Sequence, residues 1–164
     1  MQYLIEKAQE KDINNITDMI MERSKWLLDK EIDQWEPDYY LKKYDYNYFL
    51  SYVNQEKDLF VLKSYNNVVG SMLIKLDNND YWKDYNDGIY LHHLVSKLGK
   101  SGIGYKLLEF AVEFAKEKGR NFIRLYCRKS NEKLNNYYIN NGFSLVGQIC
   151  LDDFNYNLYE RKVS

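Results

Sequence analysis

The chain of 164 residues has few of the residues that mark several protein classes, with one proline, two cysteines and two histidines. No apolar run approaches the roughly 20 residues of a membrane-spanning helix, and the N-terminus lacks the apolar core of a signal peptide. Acidic and basic residues number 24 and 23, so no net charge draws the chain to nucleic acid or to an acidic membrane. We therefore expect a cytoplasmic protein without nucleic-acid or membrane partners.

The two cysteines, Cys127 and Cys150, are far apart and lack the spacing of metal ligands or of a redox pair. Both lie in apolar, strand-like runs, which predicts two buried thiols in a reducing compartment. No other motif has the spacing of metal ligands, so we predict no metal site.

Apolar residues make up 45% of the chain and charged residues 29%, which is typical of one globular domain over residues 1–164. The apolar spacing predicts the element order β α α β β β α β α β β. The predicted strands are Tyr3–Lys7, Leu59–Tyr65, Val68–Leu76, Ile89–Val95, Phe122–Cys127, Phe143–Leu151 and Tyr156–Lys162. The predicted helices are one that Asp12 caps and that carries Ile13, Ile16, Ile20 and Leu27, then Asp38–Val53, Gly102–Lys118 and Glu132–Asn140.

Hairpins at either end of this order need antiparallel pairing, and the first hairpin is expected to turn at Asn66-Asn67. The strand–helix–strand connections in the middle need parallel pairing. The predicted fold class is therefore α/β, with a mixed, mostly antiparallel central sheet, parallel middle strands and helices on both faces.

The acidic loop from Asp77 to Asp87 either attracts a cationic substrate or is simply solvated. Its acidic residues include Asp77, Asp80, Asp84 and Asp87.

A glycine-rich turn, Gly99-Lys-Ser-Gly102-Ile-Gly104, follows the strand Ile89–Val95 and opens directly into a helix. The free N–H groups of a helix start converge on one point, and the helix dipole makes that point attractive to an anion. The glycine spacing is not that of a dinucleotide site, and Tyr105-Lys106 stands where a nucleotide P-loop needs Lys and Ser or Thr. The pattern indicates a phosphate cradle, although a ligand-free connection has the same local sequence.

A second motif runs from Asn131 to Tyr138-Ile-Asn-Asn-Gly142-Phe143. With both motifs in this order, the chain resembles the GCN5-related N-acetyltransferase (GNAT) family. Its members carry L-x-V before Q/R-x-x-G-x-G/A, and later N-x-x-x-x-x-x-Y-x-x-x-G-F. The segment from Trp26 to Trp35 also resembles a family segment W-L-x-x-x-G-I-x-Q-W, with Glu31 at the glycine position. Gly99 replaces the usual Gln or Arg, and Lys97 or Lys100 would have to compensate.

The resemblance implies an acyl-CoA N-acyltransferase fold with acetyl-CoA as the cosubstrate and no metal. The pantetheine arm would pair with the backbone of Leu94 and Val95. Asn131 is expected to cap the second helix, with or without a contact to the CoA arm. The pyrophosphate would lie against the turn and the helix start, at Lys100, Ser101, Gly102, Ile103 and Gly104, with Tyr105 beside it.

For the chemistry, the resemblance implies that Tyr138 protonates the departing CoA thiolate. His92, in an H-x-L frame, is implied as the base that takes a proton from the amine, which attacks directly without an acyl-enzyme. Neighbouring strand residues point to opposite faces, so His93 and a water chain remain alternatives to His92. A buried structural histidine is an equal interpretation of either residue.

The helical region would form the acceptor side, where stacking or cation–π contacts and simple helix packing are both compatible with the sequence. Its candidate residues are Trp26, Trp35, Tyr39 and Tyr40. The implied reaction is acetyl transfer to a primary amine of a small molecule or peptide. The alternatives are a non-catalytic acyl-CoA-binding or regulatory domain and a protein N-terminal acetyltransferase. Exposed late strands are compatible with a homodimer.

Overall fold

A computed structural model describes residues 2–32, 34–77, 81–82 and 87–164. The strands are β1 Tyr3–Lys7, β2 Leu59–Ser64, β3 Asn67–Lys75, β4 Gly88–Ser96, β5 Phe122–Arg128, β6 Ser144–Leu151 and β7 Phe154–Lys162. The helices are α1 Ile13–Asp29, α2 Pro37–Lys43, α3 Tyr46–Asn54, α4 Ile103–Glu117 and α5 Glu132–Asn140. Within the described ranges, no helix has both the length and the apolar character needed to cross a membrane.

The strands form one seven-stranded sheet in the order β1-β2-β3-β4-β5-β7-β6. Strands β4 and β5 run parallel, and the pairs β1–β2, β2–β3, β5–β7 and β6–β7 are antiparallel. The parallel ladder covers Gly88–Tyr90 of β4 and Phe122–Arg124 of β5. The predicted mixed, mostly antiparallel sheet is confirmed.

The chain divides into two compact units, residues 1–74 with 93–108 and residues 75–92 with 109–164. In the first unit, the apolar stripe of α1 packs on α3, β2 and β3. The four apolar positions predicted to bury α1, Ile13, Ile16, Ile20 and Leu27, are all buried. In the second unit, Trp82, Tyr90 and Leu158 form a smaller buried cluster.

The predicted helix Asp38–Val53 is wrong, because the structure contains two helices in this region. Helix α2 ends at Lys43, and α3 begins at Tyr46 after Asp45. The Asp45 carboxylate accepts the backbone N–H of Tyr48 at 3.0 Å, so an aspartate inside a helical pattern serves as an N-cap.

Asp12 occupies the N-cap position of α1 as predicted, but its side chain does not cap the helix. Asp12 accepts the N–H of Gln9 at 2.9 Å within a preceding 3-10 turn, and it pairs with Lys63 at 3.2 Å. Its carboxylate is therefore bound to groups outside α1, and it makes no cap hydrogen bond to the helix.

The first hairpin turns one residue earlier than predicted, at Tyr65-Asn66, where φ is 49° and 69°. Ser64 pairs with Asn67, and a bulge between Leu62 and Lys63 shifts the register of β2 against β3. Most residues of β2 and β3 are buried on both faces of the sheet, so these strands lack the apolar–polar alternation in which the sequence could reveal an extra residue.

Two other predictions concern the two cysteines and the acidic loop. Cys127 is buried, but Cys150 is exposed, because β6 lies at the edge of the sheet. The prediction of a buried Cys150 is therefore wrong. Of the predicted acidic loop, Asp77 and Asp87 belong to the described residues, and Asp80 and Asp84 lie outside them.

Candidate functional site

The glycine turn opens toward solvent at the start of α4. Gly99 and Gly102 have φ values of 80° and 78°, and a Cβ built on either would meet no atom within 4 Å. The N–H of Lys106 donates to the Gly102 carbonyl at 3.2 Å. The N–H groups of residues 103–105 therefore belong to the first helical turn, which has no intrahelical acceptor for them. This arrangement suits a bulky anion.

A third glycine places α4 close to the sheet. A Cβ at Gly70 of β3 would lie 2.6 Å from Cγ2 of Ile103 and 3.2 Å from Cδ1 of Leu107. Since real Cβ atoms do not come so close, only glycine lets the first turns of α4 pack at this depth. Ile103 and Leu107 are both buried there, which fixes the start of the helix.

Helix α1 holds the other end of the turn. The Arg23 guanidinium donates to the Ser96 carbonyl at 2.9 Å, and Glu22 accepts the N–H of Leu98 at 3.3 Å. Glu22 also pairs with Lys97 at 3.9 Å.

Two lysines were predicted to replace the missing Gln or Arg. Lys97 is already paired with Glu22, whereas Lys100 is exposed. The Lys100 N–H bonds to the Lys97 carbonyl at 3.3 Å, which narrows the candidate backbone donors to residues 101–105.

The second motif has a structural explanation at the end of α5. The Phe143 N–H donates to the Tyr138 carbonyl at 3.0 Å, and the Gly142 N–H donates to the Ile139 carbonyl at 3.2 Å. With Gly142 at a φ of 87°, these bonds form a Schellman motif. The rings of Phe143 and Tyr138 lie 5.5 Å apart, as the apolar contact of this motif requires. The spacing Y-x-x-x-G-F therefore fixes Tyr138 through the helix cap.

Tyr138 is buried against Phe143 and Tyr159, and its hydroxyl has no hydrogen-bond partner among the described residues. Burial, followed by the Cys127 thiol and Tyr137, raises the pKa of Tyr138 well above its usual range. The phenol is therefore neutral at physiological pH and holds a proton that it can donate. At the other end of α5, the Asn131 side chain accepts the N–H of Leu134 at 3.2 Å, and this predicted cap is present.

A buried amide that no motif indicated lies under α5. The Asn135 side-chain oxygen accepts from Asn157 at 2.8 Å and from the Tyr159 hydroxyl at 2.6 Å. Its amide nitrogen donates to the carbonyls of Arg128 at 2.9 Å and Asn131 at 2.7 Å. This network ties β5 and β7 to the helix that carries Tyr138. The only sequence signal was a polar residue at a position that the helical period predicts to be buried.

Replacing Asn135 by alanine is expected to lower the free energy of unfolding by about 3–4 kcal/mol, since several buried donors and acceptors lose their partner at once. Urea denaturation measures the change, with Asn136→Ala as the matched control because Asn136 is exposed on the same helix. Equal free energies of unfolding for the two variants would show that the Asn135 hydrogen bonds do not stabilise the fold.

Cys127 also belongs to this network, as its thiol donates to the Asn135 oxygen at 3.5 Å. Burial raises the pKa of Cys127 to about 12. The thiol is therefore protonated at neutral pH and poorly suited to be a nucleophile, in line with the prediction of direct amine attack. Among the described residues, no group of three or more His, Cys, Asp or Glu side chains could hold a metal ion.

The two histidines have different surroundings. Nε2 of His92 is buried, and the His92 ring lies 6.0 Å from the Tyr126 ring. Burial, with a smaller contribution from Lys75, lowers the pKa of His92 to about 3. His93 instead contacts α2 and α3, where Tyr40 and Tyr48 are hydrogen-bonded to its ring.

The predicted acceptor residues fall into two groups. Trp35 stacks on Tyr40 with ring centroids 4.9 Å apart, and its carbonyl accepts the Ser24 hydroxyl at 2.6 Å. Trp26 instead lies under the Arg23 guanidinium, and Tyr39 is exposed. Glu31, at the position where the related family segment has glycine, has a φ of 58°. The backbone keeps the left-handed conformation that glycine would favour.

Comparisons with known proteins identify the family and the fold of this chain. Residues 20–143 match the model of the acetyltransferase (GNAT) family. The Bacillus subtilis protein named uncharacterized N-acetyltransferase YesJ is 23% identical over an alignment of 161 positions, which covers 93% of this chain and 86% of that protein.

Solved structures share the fold. The PaiA N-acetyltransferase of Thermoplasma acidophilum, solved in complex with coenzyme A, is 20% identical with a TM-score of 0.77, and 99% of each chain is covered. A GNAT-family acetyltransferase from Listeria monocytogenes is 23% identical with a TM-score of 0.76, covering 98% of this chain and 94% of that one. YncA of Salmonella typhimurium, solved with acetyl-CoA, is 13% identical with a TM-score of 0.72, covering 100% and 95%. The chain therefore belongs to the GNAT acetyltransferase family.

Proposed function

We propose that this protein transfers the acetyl group of acetyl-CoA to a primary amine of a small molecule or peptide, by direct attack in a ternary complex. The observation that carries the proposal is the open, left-handed glycine turn at the start of α4 in a chain of this family. It offers backbone donors and no obstructing side chain to an anion, and CoA carries a diphosphate.

Each part of the donor has proposed contacts. The diphosphate would bind the N–H groups of residues 101–105, with the Tyr105 ring beside it and the Lys100 ammonium as the nearby cation. The pantetheine arm would pair with the backbone of Leu94 and Val95, beyond the last paired residue of the ladder between β4 and β5. Asn131 would contact the arm in addition to capping α5.

Tyr138 would donate its proton to the sulfur when CoA leaves. Because its pKa is raised, the phenol keeps its proton until negative charge develops on the sulfur. A neutral donor in an apolar site stabilises a developing anion more strongly than water-exposed groups do. The absence of a described hydrogen-bond partner leaves the hydroxyl available for this contact.

The resemblance alone assigned the base to His92. With a pKa of about 3 its ring is neutral at pH 7, as a base must be. A proton that it accepted would, however, be lost again readily, because burial and Lys75 both disfavour the imidazolium form. In the described surroundings His92 is a weak base.

The proposal is tested by measuring CoA release from acetyl-CoA with a panel of primary amines that includes polyamines, aminoglycoside fragments and peptides. We expect turnover with at least one amine and saturable CoA binding by calorimetry. CoA binding without turnover across the panel would support the alternative of a non-catalytic acyl-CoA-binding domain. Turnover with peptide N-termini alone would support protein N-terminal acetylation.

The depressed pKa of His92 predicts a loss of stability in acid. An unfolded histidine titrates near 6.5, so between about pH 6.5 and pH 3 the unfolded chain binds a proton that the native chain does not. Stability is therefore fully present above pH 6.5 and falls as the pH falls. We expect His92→Gln to reduce the loss of unfolding free energy between pH 7 and pH 4.5 by about 2 kcal/mol, measured by urea denaturation. The same pH dependence in both proteins would show that another group titrates.

A further inference from the structure

His93 is hydrogen-bonded at both ring nitrogens by tyrosine hydroxyls. Nδ1 is bonded to the Tyr40 hydroxyl, and Nε2 lies 3.0 Å from the Tyr48 hydroxyl. The Tyr48 hydroxyl in turn donates to the Tyr52 hydroxyl at 3.5 Å. Three hydroxyls and one imidazole thus form a continuous chain, and each hydroxyl can both donate and accept.

The surroundings of the His93 ring suit a positive charge. Tyr44, Tyr48, Phe49 and Tyr40 have ring centroids 4.4, 5.3, 5.6 and 5.7 Å from that of the imidazole. Aromatic rings attract cations, and the two hydroxyls can turn to accept both N–H groups of an imidazolium.

The charged side chains of the helices packed on this ring are Asp38, Lys42 and Lys43, all on α2, and Asp45 is the N-cap of α3. Lys43 Nζ lies 5.4 Å from the centroid of the Tyr44 ring, and the Asp45 carboxylate is bound to the Tyr48 N–H. All four charged side chains are exposed, so solvent screens their charges.

The backbone at His93 is left-handed, with a φ of 54° inside β4. Such a conformation is unfavourable for a non-glycine residue and persists where the surroundings fix it, often at functional sites. The next residue is Leu94, whose backbone is proposed to hold the pantetheine arm. Because consecutive Cα atoms are about 3.8 Å apart, a ligand on Leu94 lies beside residue 93.

We propose that His93, with the hydroxyls of Tyr40 and Tyr48, forms a proton relay that takes the proton of the acceptor ammonium. The inference rests on the proposed acetyl transfer and names the class of acceptor, an amine that is protonated at neutral pH. His93 acts through Tyr40, whose hydroxyl receives the proton from the ammonium.

The step balances in protons and electrons. The ammonium N–H bond breaks and its proton moves to the Tyr40 oxygen, while the Tyr40 O–H proton moves to Nδ1 of His93. The electron pair left on the amine forms the new C–N bond, and the C–S bond breaks with its electron pair moving to sulfur, which takes the Tyr138 proton. The second proton that the nitrogen loses as the amide forms restores the Tyr138 hydroxyl. Overall, R–NH3+ and acetyl-CoA give the amide, CoA–SH and one proton, which passes from Nε2 through Tyr48 and Tyr52.

The test compares the pH dependence of kcat/KM for wild type and His93→Gln, from pH 6 to pH 10, with an amine that the wild type acetylates. At pH 7 we expect a loss of about 100-fold, within the range of general-base effects. The deficit should shrink toward high pH, where the amine is already unprotonated and needs no base. Tyr40→Phe should show the same pattern, and the Kd for CoA should stay within about twofold. Tyr46→Phe is the matched control, since Tyr46 lies on α3 outside the relay.

Several outcomes would overturn the relay. These are a wild-type pH profile in His93→Gln, a loss that is equal at every pH, or a pH-dependent loss in His92→Gln instead. If His93→Gln does not fold by circular dichroism, Tyr40→Phe and Tyr48→Phe decide, since each removes one oxygen, and wild-type profiles in both overturn the relay. No turnover by the wild type with any amine would overturn the proposed function and the relay together, whereas wild-type turnover with an unchanged His93→Gln overturns the relay alone.

Discussion

Replacing Tyr138 by phenylalanine is expected to lower kcat about 1000-fold, within the range of general-acid effects, and to leave the Kd for CoA within about threefold. In the proposed mechanism the hydroxyl interacts with the sulfur only as CoA departs. Its removal therefore affects the transition state and not the binding of the acetyl donor. The hydroxyl has no partner among the described residues, so the variant should fold with nearly unchanged stability. Steady-state CoA release and calorimetry measure the two constants.

Tyr137→Phe is the matched control for this experiment. Tyr137 is the preceding residue of α5, but it lies about 100° away around the helix and is 36% exposed. We expect wild-type kcat from this variant. If Tyr138→Phe kept wild-type kcat as well, the buried phenol would have only the packing role in the Schellman motif.

Replacing Gly102 by aspartate is expected to weaken CoA binding about 300-fold, because it places a carboxylate where the diphosphate is proposed to bind. Aspartate tolerates a φ of 78° better than most residues, and a negative charge at the start of α4 favours the helix. The folded state should therefore survive the substitution. Calorimetric titration with CoA at low and high salt gives the affinity, and the penalty should shrink as salt screens the repulsion.

Two variants separate charge from bulk and from backbone strain. Gly102→Asn has almost the same shape without the charge, and we expect it to weaken CoA binding only about tenfold. Gly119→Asp adds the same charge at a glycine with a φ of 70° and equally open surroundings, at the other end of α4. It should bind CoA like wild type. Equal losses at Gly102 and Gly119 would contradict a diphosphate site at the turn.

Local patterns were sufficient to predict much of this fold. The predicted bounds of β1 and α5 match the structure, because a short alternating run and a capped helical period each identify their own ends. The glycine turn and the Tyr138 motif could likewise be recognised in the sequence, since both depend on backbone conformations that few residues adopt. The roles of Tyr138 and His92 remain predictions.

Features that depend on distant residues could not be predicted in this way. Asp45 interrupts a helical period that continues on both sides of it, and the register of β2 against β3 shifts between Leu62 and Lys63, opposite Val69. His93 meets Tyr40 and Tyr48 only after α2 and α3 pack on β4, across more than forty residues of sequence. No local pattern contains that contact.

The cap after α5 has a mechanical consequence. One pair of backbone hydrogen bonds both stops the helix and sets the direction of the ring at position 138. Shifting these two hydrogen bonds by a single residue along the chain would rotate the ring by about 100° about the helix axis. The number of residues from Tyr138 to Phe143 therefore determines the orientation of the ring. Insertions or deletions made to change loop lengths in this enzyme should avoid this segment.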